Sequence, residues 1–362
     1  MALIAAAGCL PRQITSNQAS CRLHLPCIRA KPHFAAGSIQ SVAAFAVFST
    51  WKSRRLNPQI RRSADAEVFS VPHADGIELE ILGGPATTAP SKVSLVCIHG
   101  SYHAAWCYQE HFLDFFREKG FNTYALSLRG QGRGRMPDQL PVAGTLEEHA
   151  ADIAAFVRHL ESKGETVVLV GHSFGGLIAL QAAADLQLAG LVLLCSVPPS
   201  GNVGIILRSL FRAPLQALRI TWGFISRAFE RDVALCRELF FDEETSVADI
   251  ERYMRLMTQG CPAGTRLLDL RQLQRSLPVP VCSKPVLVVG GDRDVIVDVE
   301  ALPVCQCVAS SRRTPCRHVL QCTHRARGLT LQIWAQMQWC LPRRHCANCA
   351  MQQWRVLETC IP

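Results

Sequence analysis

An α/β fold, with a mostly parallel central sheet, helices on both faces and an inserted helical cap, is predicted by three features of the sequence. Strand-like runs that are apolar at nearly every position alternate with helical segments, the pattern of a parallel sheet buried on both sides. A Gly-x-Ser-x-Gly stretch, Gly171 to Gly175, stands between one such strand and a helix. Residues 196–284, helical in pattern, separate the last two strong strands. At 49% hydrophobic and 19% charged, the composition excludes a wholly disordered chain. No apolar run reaches the length of a membrane-spanning helix.

Phe69–Val71 and Ile77–Ile81 alternate apolar and polar residues on either side of His73-Ala-Asp-Gly76, which predicts a hairpin. Val93–Ile98 reads as a buried strand, Gln109–Lys119 as a helix closed by Gly120, and Phe121–Leu126 as the next strand. Thr145-Leu-Glu-Glu148 is a capping box, and the helix it opens carries Leu146, Ile153, Phe156, Val157 and Leu160 on one face. Thr166–Val170 is rich in β-branched residues and leads through Gly171-His-Ser-Phe-Gly-Gly176 into a helix running to Asp185. Leu191–Cys195 and Pro285–Gly290 complete the strong strands. The expected organisation is a body over 66–195 and 285–302, interrupted by the cap over 196–284, with atypical ends over 1–65 and 303–362.

Charge separates those ends from the body. The chain is +9 overall, yet residues 1–64 hold nine Lys/Arg and no acid, and residues 303–362 hold eight Arg against Glu358 alone. Residues 65–302, with 21 basic and 28 acidic side chains, are net −7. A nucleic-acid-binding domain needs positive charge on its folded surface, so no nucleic-acid partner is expected. The Arg-rich, Ser-bearing, acid-free N-terminus has the composition of a transit peptide removed after import. The chloroplast is the expected destination, with mitochondrion or cytoplasm as alternatives.

The seventeen cysteines follow the same division: three in 1–64, six in 65–302 and eight in 303–362. Those of the body stand singly, and Cys97 and Cys195 fall in apolar strands as small reduced hydrophobes. Cys346-Ala-Asn-Cys349 lacks the second pair a structural zinc site needs, so no metal is expected. From Pro303 onward apolar periodicity fails, and only Val319-Leu320 and Leu329–Met337 offer a short strand and an uncapped helix. Such a tail has the composition of a shifted reading frame or a misjoined exon rather than of the end of this fold.

The chemistry gathers at Ser173. Glycines at 171 and 175 let a strand turn sharply into a helix, which leaves the Ser173 hydroxyl exposed as a nucleophile. The Phe174 N–H, at the helix start, then faces a developing oxyanion. A second donor must come from an earlier loop; Val93–Ile98 runs into His99-Gly100-Ser101, where Gly100 permits close approach and Ser101 offers its N–H. An acid is expected after the strand that follows the cap, and Asp292 and Asp294 compete. In the cap, Arg208, Arg212 and Arg219 share one helical face opposite Ile206 and Leu210, with Pro214 breaking the run. That face is either solvated or a peripheral contact with an anionic membrane.

Over about residues 66–300 the chain resembles the α/β-hydrolase superfamily. His99-Gly100-Ser-Tyr-His-Ala-Ala-Trp106 is similar to plant methylesterases and hydroxynitrile lyases. Tyr124-Ala-Leu-Ser-Leu-Arg-Gly-Gln-Gly132 and Leu194-Cys-Ser-Val-Pro-Pro199 are more similar to lysophospholipase or monoacylglycerol-lipase-type hydrolases. The resemblance implies an acid three residues after a glycine, which favours Asp294 of Gly291-x-x-Asp294. It also implies a histidine after one further strand. His324, 30 residues beyond Asp294, fits best; His318 is the alternative, and a chain with neither in place is the third reading. The implied activity is hydrolysis of small lipophilic carboxylic esters by a serine triad, with no cofactor. Hydroxynitrile-lyase, methylesterase-like or acyltransferase chemistry, or ligand binding without turnover, are the alternatives. A serine nucleophile disfavours epoxide hydrolases and haloalkane dehalogenases of this fold, which use aspartate.

Overall fold

The computed structural model describes residues 66–88, 92–137, 140–261, 265–269, 285–291, 294–301 and 319–322. The strands are β1 (Glu67–Ser70), β2 (Glu78–Gly84), β3 (Val93–Ile98), β4 (Asn122–Ser127), β5 (Thr166–His172), β6 (Gly190–Leu194), β7 (Val286–Gly291) and β8 (Val319–Cys322). They form one sheet in the order β1-β2-β4-β3-β5-β6-β7-β8. β2 runs antiparallel to both β1 and β4, while every pairing from β4 through β3 to β8 is parallel. The expected hairpin is therefore present, and the expected parallel sheet begins beyond it.

Period-two alternation explains why the central strands look apolar throughout. On β3, Val96 and Ile98 enter one core with the sheet-facing residues of α3 (Leu146–Ser162) and α4 (Phe174–Ala182), among them Ile153, Val157 and Leu177. Leu95 and Cys97 enter the opposite core with Tyr108, Phe240 and Met257. Both faces are buried, so the strand carries apolar residues in both registers, and its one polar residue, Ser94, is buried with its hydroxyl bonded to Glu165 and Asn122. At the start of α3 the capping box is complete: Glu148 N–H donates to Thr145 Oγ1 at 3.2 Å and Thr145 N–H to Glu148 Oε2 at 2.7 Å.

One helix differs from expectation. The segment read as a single helix over Gln109–Lys119 is two pieces, α1 (Trp106–Gln109) and α2 (Leu113–Glu118). Trp106, Cys107 and Tyr108 are buried in succession, and the Tyr108 hydroxyl donates to the Ile98 carbonyl at 2.9 Å. A straight helix spreads three consecutive residues over about 200° of its circumference, so the chain must bend before Phe112 and Phe116 can face the same core.

Between β6 and β7 the chain folds as α5 (Val203–Arg212), α6 (Pro214–Ser226), α7 (Val233–Phe240) and α8 (Val247–Gly260). Pro214 occupies the first turn of α6, where its missing N–H is no loss, so it starts a helix. The arginine face is not free. Arg208 forks onto Asp298 at 2.5 and 2.6 Å, Arg212 meets Glu300 at 2.5 Å, and Arg219 meets Glu238 at 3.0 Å. Carboxylates of the same chain thus pair with the arginine face that the sequence leaves as either solvated or a membrane contact. Phe211, Leu215 and Ile225 remain exposed beside them. Among the described residues no helix is long and apolar enough to cross a membrane.

Candidate active site

Ser173 sits where β5 becomes α4, with φ 54° and ψ −120°. A residue with a side chain adopts such angles only under external constraint. Here the constraint is the neighbouring strand: Ser173 N–H donates to the Leu194 carbonyl at 3.0 Å, and its own carbonyl accepts from Gly176 and Val197 at 3.0 and 3.2 Å. The glycines around it leave room for backbone and nothing else. A Cβ on Gly171 would come within 2.5 Å of the Gly175 carbonyl oxygen, and one on Gly175 would run into the carbonyls of Ile98 and His99. This close approach brings β3 and the start of α4 together.

The loop after β3 lies against the serine: a Cβ on Gly100 would stand 2.8 Å from Ser173 Cβ. The Phe174 N–H, first in α4, belongs to the helix N-terminus, whose leading N–H groups have no partner within the helix. His99 anchors the loop from beneath. Its Nε2 accepts from Leu128 N–H at 2.9 Å, which leaves Nδ1–H to donate to the Gly100 carbonyl at 2.8 Å. Burial pushes His99 and His172 down to about 3 and His103 to about 4, so all three imidazoles are neutral at neutral pH. His103 and His149 are fully buried. His103 is drawn in by Nδ1, 2.8 Å from the Ser101 carbonyl, and by Trp106 stacked at 5.5 Å. His149 contacts the Leu267 carbonyl through Nε2 at 2.9 Å.

Asp294 follows β7 by three residues, at the same carboxyl end of the sheet where Ser173 follows β5 and Ser101 follows β3. Its Oδ1 accepts the N–H groups of Ile296 and Val297 at 2.8 and 3.0 Å, which pins the carboxyl to its own loop. Desolvation outweighs these bonds and pushes Asp294 up to about 6. The Cys195 side chain also hydrogen-bonds the carboxyl and pulls its pKa the other way. Asp292, His318 and His324 lie outside the described residues, as do residues 1–65 and the Cys346–Cys349 pair. No cluster of metal-ligating side chains occurs among the described residues.

Two networks escaped the sequence reading. Glu80, buried on β2, accepts from Ser127 Oγ at 2.7 Å, and Ser127 Oγ in turn accepts from Ala105 N–H at 2.9 Å. Arg129, just after β4, forks onto Asp152 of α3 at 2.6 and 2.7 Å and reaches Glu148 at 3.3 Å. The first holds Ala105, at the end of the loop that carries Gly100 and Ser101; the second fixes the residue beside Leu128, whose N–H meets the His99 ring. Polar residues at isolated positions in apolar runs, such as Glu80 and Asp152, were the available signal.

Comparisons with known proteins bear on the family. The esterase PIR7B of Oryza sativa subsp. japonica is 30% identical over 118 residues, 32% of this chain and 43% of that protein. Methyl jasmonate esterase 1 of Vitis vinifera is 34% identical over 82 residues, 22% of this chain and 30% of that protein. The alignments therefore span less than half the length of these relatives. Among solved structures, an epoxide hydrolase from Bacillus megaterium superimposes with a TM-score of 0.53 at 19% identity, covering 76% of this chain and 99% of that one, a likeness of fold alone. The model of the alpha/beta hydrolase family matches residues 95–329, from β3 past the end of β8. With a match over more than half its length and the strand–serine–helix junction at its centre, the chain belongs to the alpha/beta hydrolase family.

Proposed function

We propose that the protein is a serine esterase for small lipophilic carboxylic esters. The strained Ser173 carries this reading: a serine held at φ 54°, against the Gly100 loop and ahead of a helix N-terminus, is built to present a nucleophile. Ser173 Oγ attacks the ester carbonyl while a histidine takes its proton, and the Phe174 and Ser101 N–H groups hold the oxyanion. The histidine returns the proton to the leaving alcohol, and water then releases the acid from the acyl-enzyme by the same steps. Asp294 orients the histidine through Oδ2, its Oδ1 being committed to the backbone. His324 is the histidine of choice over His318: it follows β8 in sequence by two residues, and β8 runs parallel to β7, which Asp294 follows by three. The names of the plant relatives support ester substrates. The deciding experiment is labelling with a fluorophosphonate; stoichiometric labelling of Ser173 is expected, and a folded wild-type protein that does not label rejects the reading.

Asp294 also yields a pH signature. Its folded pKa of about 6 lies above the ordinary 3.8, so the folded state holds the proton more tightly than the unfolded chain. Wild-type stability therefore falls as pH rises from about 4 to 6, and the full penalty persists above 6. Asp294→Asn keeps an oxygen for the Ile296 and Val297 N–H groups and removes the buried charge. At pH 8 the variant should be more stable by about 1–3 kcal/mol, an advantage absent at pH 4, while its turnover falls about 10⁴-fold. Urea unfolding at the two pH values measures the first effect, and ester hydrolysis the second.

The transit-peptide reading of residues 1–65 is carried as a proposal of the same kind, resting on composition. Fusing residues 1–66 to a fluorescent protein should direct it to plastids, and a diffuse cytosolic signal refutes the address.

A further inference from the structure

We infer that Tyr102 is a positioning residue that fastens the oxyanion loop to the end of α6, so that the helical segment sets where the Ser101 N–H points. Tyr102 has φ 64°, a left-handed backbone that an aromatic residue keeps only when its surroundings hold it there. Its hydroxyl donates to the Phe224 carbonyl at 3.0 Å, one of the last-turn carbonyls of α6 that the helix cannot satisfy itself. The ring stacks on Phe224 at 5.6 Å and 14° and meets Phe229 edge-on at 5.0 Å. The Arg227 guanidinium lies over it at 5.7 Å.

Arg227 is itself left-handed, at φ 52°, and carries the tether onward: one Nη donates to the Cys261 carbonyl at 2.8 Å. The Cys261 thiol donates to the His103 carbonyl at 3.3 Å, which closes a ring of contacts back on the loop. Residues 101–103 are thus held from above by α6 and the chain after α8, and from below by His99. Deleting the hydroxyl frees a left-handed residue adjacent to the donor. A donor that drifts loses most where charge gathers on the carbonyl oxygen, in the tetrahedral intermediate and the transition states that flank it.

This rests on the esterase reading, so the test separates the two. In Tyr102→Phe the stack remains and only the hydroxyl is lost. Its kcat for a p-nitrophenyl ester should fall about tenfold with KM unchanged, while the lost hydrogen bond lowers the melting temperature by only a few degrees. The inhibition constant of a trifluoromethyl ketone, which needs the oxyanion contacts, should rise by the same factor. Tyr102→Ala, which also loses the stack, should lose more. An unchanged kcat in Tyr102→Phe, a rise in KM alone, or a kcat loss that does not appear in trifluoromethyl ketone binding overturns the proposal. Fluorophosphonate labelling that survives Ser173→Ala would instead remove the esterase site beneath it, and this inference with it.

Discussion

Ser173→Ala should fold as the wild type does, bind substrate and lose about 10⁶-fold in turnover of a p-nitrophenyl ester. The expectation follows from how the residue is held. Its backbone bonds to Leu194, Gly176 and Val197 do not involve the hydroxyl, so removing Oγ leaves the junction intact. What remains is the oxyanion loop and the helix N-terminus, which retain some rate enhancement over water and nothing more. Ser173→Gly sharpens the test, because glycine accepts φ 54° without strain. That variant should be inactive yet more stable than Ser173→Ala by about 1 kcal/mol in thermal unfolding. A serine kept at a backbone conformation that costs stability is the mark of a functional constraint. If Ser173→Ala retained substantial turnover, the nucleophile would have to be sought elsewhere.

Arg129→Met should be the most damaging single change to stability, at about 3–5 kcal/mol in urea unfolding. Asp152 is fully buried and its two oxygens take both arms of the Arg129 fork. Without the guanidinium, the ion-pair partner that remains among the described residues is the half-exposed His73 ring at 3.4 Å, which is charged only when protonated. A buried carboxylate left in that state costs far more than the ion pair gains over an apolar pair. The double variant Arg129→Met with Asp152→Leu should therefore recover much of the loss. Activity should decline with stability, since Leu128 beside Arg129 donates to the His99 ring that anchors the Gly100 loop.

The strands and the principal helices were legible because their signals are local. Alternating burial makes β3, β5, β6 and β7 continuous apolar runs, and the Thr145–Glu148 box marks the start of α3 four residues at a time. The serine junction was legible for the same reason. Only glycine fits where Gly171 and Gly175 meet carbonyl oxygens, and those positions bracket Ser173 within five residues. The bend at residues 110–112 was not legible, since helical periodicity cannot show that Tyr108 would reach the Ile98 carbonyl.

From sequence alone, then, came the alternation of elements, the parallel sheet, the helical character of residues 196–284 and the strand–serine–helix junction at Ser173, all written in spacings of a few residues. Tertiary structure alone decided which partners the isolated polar residues take. Arg208 looked like a free cation until Asp298, 90 positions later, came within 2.5 Å. Tyr102 looked like one aromatic among many until the end of α6 took its hydroxyl. The physical reason is one of range. Periodicity and backbone sterics act between near neighbours, whereas desolvation and ion pairing depend on whatever packing places within a few ångströms.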